Sequence, residues 1–135
     1  MITFEEILPT LNELFIEKLP LYIEEINKEH NDGFILRPFE NKTLFENCQK
    51  LPSFKFELLE AEYSDKDRII ENTVFDFKIE IKTGKTAEIN IILLCRYAEA
   101  INVMIEETVL ESFINEMKIT KIYNDNIYFR LKLED

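Results

Sequence analysis

The chain has no tryptophan, one histidine, two cysteines, two glycines and four prolines among its 135 residues. So little glycine and proline leaves no material for flexible linkers or low-complexity tails. No internal repeat is visible, and the length suits one domain, 1–135, with a sizeable core. Cys48 and Cys95 form no C-x-x-C pair, so neither a disulfide framework nor a thiolate metal cage is indicated. The opening MITFEEILPT lacks the basic region and apolar run of a secretion signal. The longest apolar run, Ile91 to Cys95, falls far short of the roughly 20 residues that span a bilayer. These absences point to a cytoplasmic chain with two reduced thiols. They leave the Asn41-Lys42-Thr43 sequon without a glycosylation route.

Basic residues are also scarce, with 16 Lys and Arg against 27 Asp and Glu and a net charge of −11. Nucleic-acid affinity comes largely from clustered cations that displace counterions, so a general phosphate-binding surface is not expected. The acidity has two readings. One is solubility through self-repulsion; the other is a carboxylate-rich face that mimics a polyanion and meets a basic partner.

What the chain has is apolar periodicity. From Thr86 to Glu107, Ile89, Leu93, Tyr97, Ala100, Ile101 and Met104 fall along one stripe of a helix, widened by Leu94 and Ile105. Glu88, Glu99, Asn102 and Glu106 gather on the other side. Local alternation in 88–94 after Thr83-Gly84 would also suit a hairpin strand, but the helical match runs on to Met104. Thr86 is the expected cap of this helix, with Glu88 in its positive first turn.

Thr3 and Glu6 form a capping-box pattern, and Ile7, Leu8, Leu11, Leu14 and Phe15 repeat at helical spacing. Pro20 predicts a kink or restart near Leu19, after which Leu21, Tyr22, Ile23 and Ile26 continue to Asn31-Asp32-Gly33. Residues 34–52 read as a connection with a short strand at 34–37, tacked down by Phe39, Leu44, Phe45 and Leu51. Two hairpins follow the period-two pattern. The first pairs the run through Phe54, Phe56 and Leu58 with Phe75, Phe77, Ile79 and Ile81, turning at Ser64-Asp65-Lys66-Asp67. The second pairs Met117, Ile119 and Tyr123 with Ile127, Phe129, Leu131 and Leu133, turning at Asn124-Asp125-Asn126. Val109, Leu110, Phe113 and Ile114 add a helical turn or two before it. The expected fold is α+β: a four-stranded, mainly antiparallel sheet of two hairpins. An N-terminal kinked helix and a central helix pack on one face.

Motifs for chemistry are thin. Thr83-Gly84-Lys85-Thr86 resembles the tail of a phosphate loop, but Ile79 stands where its first glycine is needed. Lys82-Thr83-Gly84 lacks a Ser-x-x-Lys partner. His30 stands alone in a polar helix end, where a charged imidazole suits the negative C-terminus. Cys95, inside an apolar helical run, is expected to be buried packing. Glu5-Glu6, Glu24-Glu25 and Glu106-Glu107 read as solvated faces. No catalytic, cofactor-binding or metal residue is nominated. Arg96 and Tyr97 are the candidate interface pair, since arginine and tyrosine are favoured anchors. The alternative is an Arg96 pair with Glu99 or Glu88 and a Tyr97 ring packed with its hydroxyl at the rim.

The chain resembles the small tail-terminator or tail-completion proteins of tailed bacteriophages and prophages. The resemblance lies in Leu19-Pro20-Leu21-Tyr22-Ile23-Glu24-Glu25-Ile26, the hairpin through Phe75–Lys82, Arg96-Tyr97-Ala98-Glu99-Ala100-Ile101 and the closing strand pair. It is one of pattern and layout over most of the chain. It implies a structural, non-enzymatic virion assembly protein with no cofactor or small-molecule substrate. Such proteins form rings, commonly hexamers, that cap the tail tube and dock it to head-side connector proteins. They act through sheet edges, the long hairpin and loops.

Overall fold

The alternation of Phe75, Phe77, Ile79 and Ile81 produces a central strand, and the rest of the molecule is arranged about it. The computed structural model describes residues 2–109 and 112–134. Helix α1 (Phe4–Asn12), a π-helical stretch (Glu13–Lys18) and α2 (Leu19–His30) come first. Strands β1 (Ser53–Lys66) and β2 (Ile69–Lys82), helix α3 (Ala87–Thr108), and strands β3 (Glu116–Tyr123) and β4 (Asn126–Glu134) follow. The strands form one sheet in the order β1-β2-β4-β3, and every pairing is antiparallel. The fold is α+β, with the helices on one face of the sheet.

That face is apolar because β2 and β4 alternate in step. Phe75 stands opposite Leu131, Phe77 opposite Phe129 and Ile79 opposite Ile127, and all six are buried. Phe77 stacks on Phe129 with centroids 4.8 Å apart, Phe56 lies 5.0 Å from Phe77, and Phe15 meets Phe129 edge-on at 5.8 Å. Leu93, Leu94, Tyr97, Ala100, Ile101, Met104 and Ile105 bring the expected stripe of α3 into the same core. The other face, with Asp76, Lys78, Glu80, Arg130 and Lys132, carries no helix among the described residues.

Helix α1 begins as its capping box requires, the Glu6 carboxylate accepting from the Thr3 amide at 2.7 Å. The break falls where Pro20 demands it. Proline has no N–H and its ring crowds the preceding turn. The helix therefore widens before it: the Leu19 amide bonds Leu14, five residues back, and a regular helix resumes at Leu19. Asn31 ends α2 in the left-handed conformation. Thr86 caps α3 by position, but its hydroxyl makes no capping bond.

Three expectations need correction. The first hairpin turns at Asp67 and Arg68, both at positive φ (55° and 70°), so Ser64 and Asp65 belong to β1. The two-residue turn carries the twist of the flanking strands, and the ladder runs on to Lys66 and Ile69. The second turn is also two residues, and Asn126 already pairs with Tyr123. No strand forms at 34–37, because the Asn27 side chain takes the place of a partner strand. It accepts from the Leu36 amide and donates to the Leu36 carbonyl, both at 2.8 Å. The tacking residues do meet the core, Phe39 on Phe54 and Tyr97, and Phe45 edge-on to Phe56 at 5.2 Å, but of the four only Leu44 is fully buried. Phe39 is half-buried, whereas Phe45 and Leu51 are 58% and 49% exposed. After α3, Val109 and Ile114 are buried and Phe113 is exposed. Leu110, counted in the expected turn, lies outside the described residues.

Removing the Phe129 ring should cost about 3–5 kcal/mol, since it empties the middle of a close-packed aromatic group. Leu21→Ala, on a side chain 63% exposed, should stay within about 0.5 kcal/mol of wild type. Urea unfolding followed by circular dichroism measures both.

Candidate functional site

The candidate pair Arg96-Tyr97 sits in the middle of α3, where α2 and the connection after it lie alongside. One helical step separates the two residues by about 100°, and their fates diverge accordingly. Tyr97 points inward and is 1% exposed. Its ring stacks on Phe39 at 4.9 Å, and its hydroxyl reaches the backbone of Arg37. It donates to the Arg37 carbonyl at 2.7 Å and accepts from the Arg37 amide at 3.2 Å. Burial pushes the phenol up to about 12, against the lowering effect of the Arg37 backbone hydrogen bond. Both the ring and the hydroxyl thus serve this chain's own connection, with no rim position left for a neighbour.

Arg96 lies at the surface of the same helix. Its partner is neither Glu99 nor Glu88 but Asp32, just beyond α2, held through two guanidinium nitrogens at 3.2 and 2.5 Å. The Arg96 hydrogen bond holds the Asp32 carboxyl down at about 2. Glu99 is taken by His30, whose Nε2 lies 2.9 Å from its carboxylate, so His30 is paired across to α3 rather than left to solvent. The polar groups read as candidate sites thus act together as a clasp between the end of α2 and the flank of α3.

Cys95 is exposed, not buried, and Cys48 is intermediate. The helical stripe passes Leu94 and Tyr97 to the core, which turns Cys95 outward beside the exposed Ile91. These two line an open groove with Leu51, Leu94 and Ile122, near Lys82 and Lys85. The groove floor is closed by Asn90, which donates to Asp125 at 2.7 Å and accepts from the Thr83 hydroxyl. The Thr83–Thr86 turn therefore joins strand to helix and is tied to the β3–β4 turn. Among the described residues no group of three or more His, Cys, Asp or Glu is placed to hold a metal ion, and no helix is long and apolar enough to cross a membrane.

The other surface feature is the β1–β2 hairpin, whose arms run past the helices. Its residues from Leu59 to Asn72 are exposed apart from half-buried Ile70 and the undescribed Lys66 side chain. Leu59, Tyr63 and Ile69 are 46%, 42% and 67% exposed there. Alternation signalled the strands, but their reach beyond the helices depends on where the turn falls, which the polar run 64–67 concealed. No protein-family model matches the chain, and comparison with curated proteins finds no relative.

Tyr97→Phe leaves the Arg37 amide and carbonyl short of a partner and should cost about 1–3 kcal/mol. The raised phenol adds a pH signature. The unfolded chain ionises near 10 and the folded chain near 12, so stability falls as pH rises through that window, and the phenylalanine variant loses that dependence. Asp32 works at the other end. Its folded value near 2 lies below the ordinary 3.8, so its contribution is present above about pH 4 and disappears toward pH 2. Arg96→Gln should flatten that acid limb. Chemical denaturation across pH reads both effects.

Proposed function

We propose that this protein is a non-enzymatic assembly part, similar to a phage tail terminator. It acts by associating with copies of itself into a ring that caps a tail tube and joins it to connector proteins. The observation that carries the reading is the projecting β1–β2 hairpin. Exposed Leu59 and Ile69 stand on its arms without helix cover, and Tyr63, whose ring meets Phe75 edge-on at 6.4 Å, leaves its outer side open. The uncovered sheet face supports it further, since one layer of helices leaves the opposite face available for a neighbour. The reading does not rest on Arg96 and Tyr97, since Asp32 holds Arg96 and the Arg37 backbone holds the Tyr97 hydroxyl.

A second reading has its own support. The solvent side of the helices is rich in exposed carboxylates, among them Glu13, Glu17, Glu24, Glu25, Glu88 and Glu106. Such a face suits a small acidic module, of inhibitor, immunity or DNA-mimic type, that binds a basic partner with strong salt dependence.

Light scattering after size exclusion, from micromolar to near-millimolar protein, separates the two. The ring reading expects an oligomer whose mass rises to a closed limit with concentration, and Leu59→Asp with Ile69→Asp should shift it toward monomer. A mass fixed at one protomer throughout would favour the acidic module.

A further inference from the structure

The sheet ends on both sides in an unpaired strand, β1 at one edge and β3 at the other. Such edges are templates for another chain, and charges and bulges are the usual protection. Both devices occur here, with opposite signs. On β1, Glu57, Glu60 and Glu62 pair with Lys78, Asp76 and Val74 and share the uncovered face of the sheet. On β3, Lys118 and Lys121 pair with Arg130 and Tyr128 and share that face, with Lys132 beside them on β4. Lys55 on β1 and Glu116 on β3 lie on this face too, so β1 carries an excess of acid and β3 an excess of base. Two β1 edges brought together would set mainly acid against acid, two β3 edges mainly base against base, and the unlike edges attract most.

We propose that copies of this chain associate head to tail, with β1 of one copy adding antiparallel to β3 of the next. Glu57 then lies opposite the neighbour's Lys121, and Glu60 opposite its Lys118. The inference rests on the self-association reading above and names the contact through which it occurs. The bulges favour this register. The ladder of β1 shifts between Leu58 and Glu60, and that of β3 between Ile119 and Lys121. Two residues separate Glu57 from Glu60, and two separate Lys118 from Lys121. The irregular stretches therefore lie opposite each other, and regular pairing resumes on both sides. The same register sets half-exposed Leu59 against Ile119, and Ala61 against Met117. Glu62 meets Glu116, whose carboxylate already has Lys118 at 3.6 Å and Lys132 at 3.7 Å. Asn41 marks the limit of the contact: it accepts from the Phe54 amide at 3.3 Å and donates to its carbonyl at 3.1 Å, occupying the start of β1. Because the two patches differ, the contact is heterologous and generates a ring or a filament rather than a two-fold dimer.

Two reversed variants test this. Glu57→Lys with Glu60→Lys makes both edges basic, and Lys118→Glu with Lys121→Glu makes both acidic. Each alone should associate at least about tenfold more weakly than wild type, through like charges set opposite one another. An equimolar mixture should recover the assembly, because every contact then pairs acid with base. As a second measurement, Glu60→Cys with Lys118→Cys, in a chain whose Cys48 and Cys95 are replaced by serine, should oxidise to a ladder of linked protomers. Opposite residues of an antiparallel pair lie about 4.5–5.5 Å apart, within disulfide reach. A wild-type oligomer indifferent to the reversals, or reversals that the mixture fails to rescue, would overturn the edge contact and leave self-association standing. A wild type that stays monomeric to near-millimolar concentration would overturn both.

Discussion

The stack of Phe77 on Phe129 is the contact on which the other elements depend. It joins the two central strands, and Phe15 from the π-helical stretch and Phe56 from β1 close on it from either side. Ring burial is worth most where water is wholly excluded, and both rings are at most 1% exposed. The register of β2 against β4 follows, because a slip of one residue would turn Phe75, Phe77 and Ile79 to the uncovered face and bring Asp76 and Lys78 inward. One face of the sheet is thereby committed to the helices, and the other stays polar.

Those commitments explain what could be read from residues alone. Period-two runs and the apolar stripe from Ile89 to Met104 are set by burial, so β4 and α3 emerge at nearly their observed limits and β2 at its C-terminal one. The Pro20 break was legible for a different reason, since a missing donor acts locally. What escaped depends on distant partners. The Asn27 side chain replaces a strand beside Leu36, nine residues away, and Asp32 reaches Arg96 across 64 residues. Nothing near Arg96 in sequence announces Asp32. Local spacing instead suggested Glu99, which His30 holds.

The candidate interface fared in the same way. Arg96 and Tyr97 were singled out by residue type, which says what a side chain is good for and not which way it faces. One helical step sends the tyrosine into the core. The surfaces that do face outward are built from residues with little individual character: a bulged glutamate edge, a bulged lysine edge and an exposed leucine. Their meaning comes from strand order, which places β1 and β3 at opposite ends of the sheet. Strand order is a property of the assembled chain.

The connection between α2 and β1 makes no strand or helix of its own. It hangs on polar side chains that come mostly from elsewhere: Asn12 to the Leu44 amide, Asn27 to Leu36 and Tyr97 to Arg37. None of these anchors exists until the helices are in place. The order of the connection is therefore borrowed: its backbone is held by side chains of the helices, and its buried Leu36 and Leu44 complete a core that those helices begin.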